Sequence, residues 1–318
     1  MQARIRVCAI ELFCVLALGG CTHVSGAAVD EESYNVKRRV EIEALVAQPS
    51  ASALATAALL SFRPEYGAAK PMEFIQRAET MAPQRPELVW VQYCICQRLK
   101  CATAQSIENR LKELDPDNGF AWIPDLERAE QSASEVAVTE AITHIGASKK
   151  MTFYWNPLQV MIVDGLTVAN PRDSLATRGI EAIGILAAQI IPPLQPLTKA
   201  CRADQFGVPG RRDACDVMAT RMERAASVLT QSLALSMQER WWPVGSAERE
   251  SVRIKRRQLD YEMQMSGQIR WRMNRDMAIR LDAARNSERE EDIMLAVMKA
   301  YGIPLVAPSD WKDPRESV

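Results

Sequence analysis

The run Pro86-Glu87-Leu88-Val89-Trp90-Val91-Gln92-Tyr93-Cys94-Ile95-Cys96, a bend at Cys101, a second helical run and the turn Asp115-Pro116-Asp117-Asn118 constrain this chain more than any other feature. Proline lacks the N–H that a helix interior needs but is tolerated in a first turn, so Pro71 and Pro86 mark helix starts. Segments about a dozen residues long, joined by turns this brief, fold back as antiparallel hairpins. The spacing predicts helices over 51–62, 71–81, 86–99 and 103–114. A helix from Asp30 precedes them, with Val36, Val40, Ile42 and Leu45 read as its apolar stripe.

Composition agrees with that pattern. Of 318 residues, 47% are hydrophobic and 25% charged, enough for one large or two modest cores. Helix formers dominate, Gly totals only 14 and long alternating β-branched runs are missing, so the expected class is all-α. With 39 basic against 40 acidic residues there is no cationic surplus of the kind a nucleic-acid footprint requires.

The closing turn has a copy one repeat upstream. Pro83 of Met81-Ala82-Pro83 lies seven residues before Trp90, Pro116 of Leu114-Asp115-Pro116 lies six before Trp122, and the two prolines are 33 apart. This resembles the tetratricopeptide repeat, whose unit of about 34 residues ends in proline and reopens with a large apolar residue. Three degenerate units can be drawn, over 51–84, 85–117 and 118–149. Phe62, Ile75 and Ala78 fall on apolar consensus positions in the first. Leu88, Ile95, Ala104 and Leu111 do so in the second, and Trp122, Ala129, Ile142 and Ile145 in the third. Leu59, Gln92 and Leu126 replace the small close-contact residue. The resemblance implies stacked, TPR-like hairpins over 31–150 with a concave surface. Val89 and Tyr93 stand where the peptide-carboxylate clamp of some such proteins uses Lys and Asn, so no ligand class follows.

At the amino terminus, Arg4 and Arg6 precede an apolar run from Val7 to Leu18, closed by Leu18-Gly19-Gly20-Cys21. The tetrapeptide resembles a bacterial lipobox. The resemblance implies that residues 1–20 are a signal peptide, that Cys21 is lipidated and that 21–30 is a tether off the membrane. Thr22, not aspartate, follows the cysteine, which favours the outer over the inner membrane in the sorting rule of such lipoproteins. The expected location is the cell envelope, facing the periplasm.

After Lys149-Lys150 the texture changes, and 151–303 reads as a helical carboxy-terminal domain with a loose tail over 304–318. Helices over 158–168 and 173–191 are apolar around much of their circumference, the second carrying Ile180, Ile183, Leu186 and Ile190 on one face. Further helices are expected over 212–240, over 246–286 with a break near Gly267, and over 288–301.

Five cysteines remain once Cys8 and Cys14 leave with the signal and Cys21 takes the lipid: Cys94, Cys96, Cys101, Cys201 and Cys215. In an oxidising compartment disulfides persist. Cys96 and Cys101 would face each other across the bend, within the roughly 4.4–6.8 Å Cα separation a bridge requires. Cys201 and Cys215 would close a polar excursion, contributing about 3 kcal/mol on the chain-entropy model. Cys94 is then left as a buried thiol. A metal site on Cys94, Cys96 and Cys101 would need a fourth ligand, and the chain's two histidines are His23 and His144.

No nucleophile elbow, Walker loop, dinucleotide fingerprint or metalloprotease motif occurs, so no catalytic residue and no cofactor is expected. Carboxylate pairs such as Asp125/Glu127 and Glu290/Glu291 are the remaining route to an enzyme. The basic run Arg249, Arg253, Lys255, Arg256, Arg257, continuing with Arg270, Arg272, Arg275 and Arg280, reads as a solvated helix face, or else as a contact for anionic headgroups. Trp241, Trp242 and Trp271 read as helix-end packing, or else as a groove. The expectation is a lipid-anchored scaffold with a protein partner. Its rival is an envelope enzyme with a carboxylate site in the carboxy-terminal half.

Overall fold

Serines and prolines set the helix starts. Ser50, Ser134, Ser174, Ser227 and Ser246 each accept a backbone N–H from the first turn of the helix that follows. Pro86, Pro124 and Pro196 sit inside first turns. The result, in a computed structural model that describes residues 31–62, 69–269 and 273–313, is an all-α protein with fifteen α-helices and no strand among the described residues.

In chain order these are α1 Glu31–Val46, α2 Ala51–Leu60, α3 Ala69–Met81, α4 Pro86–Leu99 and α5 Ala104–Leu114. Next come α6 Ile123–Gln131, α7 Glu135–Ala147, α8 Trp155–Ala169, α9 Leu175–Gln189 and α10 Gln195–Ala200. The last five are α11 Arg211–Met222, α12 Val228–Trp241, α13 Ala247–Gln268, α14 Asn274–Asn286 and α15 Glu290–Ala300. Helices α2 and α3, α4 and α5, and α6 and α7 pair in the three stretches where the repeat was drawn. No described helix is long and apolar enough to cross a membrane.

One core cluster of buried residues runs from Ile42 to Leu281, through the boundary expected at residue 150. Two glycines allow the close approaches across that boundary. A Cβ on Gly165 of α8 would stand 2.9 Å from Thr56 Oγ1 of α2, and one on Gly146 of α7 would stand 3.0 Å from the Met218 backbone nitrogen of α11. Asn118, fully buried, pins the same junction. Its amide bonds the backbone of Thr152, and Tyr154, in the left-handed conformation at φ 58°, donates its hydroxyl to Asp115 at 2.5 Å.

Several expectations shift here. Helix α1 does not bury a Val36–Val40–Ile42–Leu45 stripe. Val36 and Val40 are exposed, while Arg38, Glu41, Ile42 and Leu45 face inward. At 3.6 residues per turn, Ile42 lies about 240° round the helix from Val36, so the four never shared a face. Ile180 of α9 is likewise exposed, although Leu186 and Ile190 are buried as expected. The long carboxy-terminal helix breaks after Gln268, as the position of Gly267 led one to expect.

The tail is docked as far as Asp313. Gln258 and Tyr261 of α13 donate to Leu305 O (2.8 Å) and Pro304 O (2.9 Å), and the Tyr261 and Trp311 rings meet edge-on at 5.4 Å. The segments expected to be a signal peptide (1–20) and a tether (21–30), with Cys21, and also Arg270, Trp271 and Arg272 lie outside the described residues.

Candidate functional site: an apolar cavity among the carboxy-terminal helices

Of the two expected bridges, Cys201–Cys215 is formed, with a Cα separation of 5.6 Å. Trp241 Nε1 donates to Cys201 O at 2.8 Å, so the loop is tied to the end of α12. There Arg212 lies over the rings of Phe206, Trp241 and Trp242, at 4.5, 5.4 and 4.3 Å. Trp241 and Trp242 therefore pack around the chain's own cation.

Cys96 and Cys101 are free thiols, so the bridge expected between them is not formed. The turn between them is already closed by backbone: Lys100 is left-handed (φ 54°), and Cys101 N–H donates to Cys96 O at 3.1 Å. Burial pushes the Cys101 thiol up to about 11 and Cys94 up to about 12. Burial therefore favours the protonated thiol at both positions. His144 stacks on Trp122 at 5.0 Å, with Lys112 on the same ring at 4.6 Å.

The basic run is largely paired within the chain. Lys255 meets Glu223 at 2.6 Å, Arg256 meets Glu239 at 3.4 Å, Arg253 meets Glu250 at 3.9 Å, and Arg257 donates to Trp311 O at 2.7 Å. Arg275 lies over the Tyr301 ring at 5.5 Å.

Two buried ionic features stand out. The first joins α1 to α9. Arg38 is 2% exposed, pairs with Glu41 at 2.9 Å and with Glu181, and takes part with Lys37, which meets Asp173 at 2.8 Å. One oxygen each of Glu41, Asp173 and Glu181 lies within 4.8 Å of the others, a spacing compatible with a cation. Lys37 and Arg38 already supply two positive charges to those oxygens, so the cluster is a lock between helices. Burial pushes the Glu41 carboxyl up against the pull of Arg38.

The second is a cavity of about 170 Å³ where α8, α9, α12, α13, α14 and α15 converge. Its floor is buried: Phe153, Trp155, Ser266, Arg280, Ile293 and Met294. Its rim is half-buried: Ile183, Ile191, Val228, Leu229 and Met263.

Two charged groups line this largely apolar space, beside the buried polar side chains of Gln159, Ser227 and Ser266. Glu290 Oε2 accepts the Val228 backbone N–H at 2.8 Å and so caps α12, and burial pushes its carboxyl up to about 7. Arg280 donates to Ser266 O at 2.9 Å, and burial lowers it to about 10, with Asp276 pulling the other way. Neither charge is among the causes of the other's shift.

Sequence reasoning had picked out both residues for other reasons, Glu290 in a carboxylate pair and Arg280 in the basic run. It did not place them together. The signal for Arg280 was its register: with Met277, Leu281 and Ala284 it forms the i, i+3, i+4, i+7 face of α14. No protein-family model, curated protein or solved structure matches the chain.

Proposed function

We propose that this is a lipid-anchored protein of the cell envelope, held by acyl chains on Cys21, more readily at the outer than the inner membrane. It faces the periplasm and acts as a scaffold that binds a protein partner on TPR-like repeats. The observation that carries the reading is the run of three antiparallel helix pairs, α2–α3, α4–α5 and α6–α7, in register with the repeat spacing. Helices α2 and α7 are taken up by the carboxy-terminal half, through Gly165 and Gly146. Helices α3 and α5 each bury one face and leave Glu73, Gln76 and Arg77, and Gln105, Asn109 and Glu113, exposed for a partner.

Two experiments test the reading. A palmitate analogue labels the wild-type chain and not Cys21→Ala; equal labelling of the variant removes the anchor. Affinity capture from gently crosslinked, solubilised envelopes recovers a specific partner, and recovery of none counts against the scaffold.

Glu290 is the one observation that favours the rival enzyme. A carboxyl held near neutral in an apolar cavity is suited to proton transfer. That reading requires Glu290→Gln to abolish an activity while leaving the fold intact.

A further inference from the structure

We propose that the cavity between α8, α9 and α12–α15 binds a small uncharged molecule, its apolar body among Phe153, Trp155, Ile293 and Met294 and its one polar group, of the amide class, on the side-chain carboxamide of Gln159. This goes beyond the scaffold reading and does not depend on it.

Size sets the first limit. An apolar cavity of about 150 Å³ in another protein holds one benzene, so the space here suits a molecule of roughly six to ten non-hydrogen atoms. A concave, largely apolar pocket with a few fixed polar groups is the usual form of a small-molecule site. The half-buried rim gives such a molecule its way in.

The polar groups of the wall then select the head group. Both charges are already engaged. Arg280 donates to Ser266 O at 2.9 Å and has a further interaction besides, and Glu290 Oε2 accepts the Val228 N–H at 2.8 Å. Burial lowers the guanidinium and raises the carboxyl, so the space opposes charge of either sign. A charged head group would lose its hydration and find no free counter-charge. The serines are engaged too: Ser227 Oγ accepts the Leu229 N–H at 3.2 Å, and Ser266 Oγ donates to Met263 O at 3.4 Å. Gln159 differs. It lines the cavity from α8, is 4% exposed, and its carboxamide has no hydrogen-bond partner among the described residues. A buried carboxamide left unpaired costs free energy, so an occupant that pairs with it gains what an apolar one does not. Its donor and acceptor lie side by side in one plane, a pattern that a second amide answers with two hydrogen bonds.

The test follows the methyl signals of Met263 and Met294, which line the cavity, in NMR titrations of the full-length chain with benzamide, benzoate, benzylamine and toluene. Benzamide shifts both methyls and saturates at one per chain, while benzoate and benzylamine bind at least about tenfold more weakly. No benzamide binding, or either charged analogue binding as tightly, overturns the proposal. Gln159→Leu, close in volume and checked for an unchanged melting profile, weakens benzamide about tenfold and leaves toluene bound as tightly or tighter. Undiminished benzamide binding, or an equal loss of toluene, overturns the assignment of the polar group. Should that variant not fold, Ile183→Trp on the half-buried rim narrows the entrance and leaves Gln159 in place. It weakens benzamide and toluene together, and wild-type binding by it overturns the proposed location.

Discussion

Asn118 holds Thr152 by both ends of the same peptide-like pair: Nδ2 donates to Thr152 O at 2.8 Å and Oδ1 accepts from Thr152 N at 3.1 Å. The same oxygen accepts from Phe120 N at 3.2 Å, and Nδ2 also donates to the Tyr154 hydroxyl at 3.1 Å. All of this is buried, so Asn118→Ala strands backbone groups out of reach of water. The expected loss is about 3 kcal/mol in urea unfolding, from the desolvation of unpaired groups. A loss within error of zero would mean that the junction is held by its apolar contacts alone.

The Arg38 lock predicts an asymmetry. Arg38→Ala removes the buried cation between Glu41 and Glu181, leaves only the half-exposed Lys37 beside them and costs about 3 kcal/mol. Arg38→Met combined with Glu41→Leu removes charge on both sides and costs less than Arg38→Ala alone. Chemical denaturation of the two variants checks the order, and the reverse order contradicts the reading of the cluster as a paired network.

Stability depends on pH through Glu290. Its carboxyl titrates at about 7 in the folded chain against an ordinary 4.5, so across that window the native state holds a proton the unfolded chain has lost. Its contribution is therefore present at low pH and is lost as pH rises from 4.5 to 7. Glu79, also pushed up to about 7 by burial, acts in the same direction. Glu290→Gln flattens the decline between those limits in a pH series of unfolding curves. A variant as steep as the wild type would place the Glu290 carboxyl in solvent.

The two cysteine pairs respond differently to reduction. Opening Cys201–Cys215 releases the loop between them and lowers stability by about 3 kcal/mol on the chain-entropy model. Cys96→Ser combined with Cys101→Ser changes stability much less, because the backbone bond from Cys101 to Cys96 already closes that turn. Thermal unfolding with and without reductant separates the pairs.

What could be read from the sequence was what local rules govern. Proline at a first turn, serine at a cap and the spacing of Pro83 and Pro116 set the hairpins, and the bridge of Cys201 to Cys215 followed from a loop with cysteines at both ends. What escaped depended on which charges go inside. Arg38 shares its face with Ile42 and Leu45, and Arg280 shares its face with Met277 and Leu281. Yet nearby charges such as Arg39 and Glu43, or Arg275 and Asp282, stay in water, so only helical register marked the two that go inside. The cavity itself joins six helices spread over 153–294, a long-range convergence that no single periodic stretch encodes.

The account's central claim, that the exposed side of the hairpin array carries a partner, is tested most directly by photocrosslinking from a single site. A photoreactive residue at Asn109 of α5, in the full anchored chain in intact cells, is compared with one at Asp310, also exposed but on the docked tail. The account predicts a discrete light-dependent adduct from Asn109 and none from Asp310. No adduct from Asn109, or the same adducts from both positions, would contradict it.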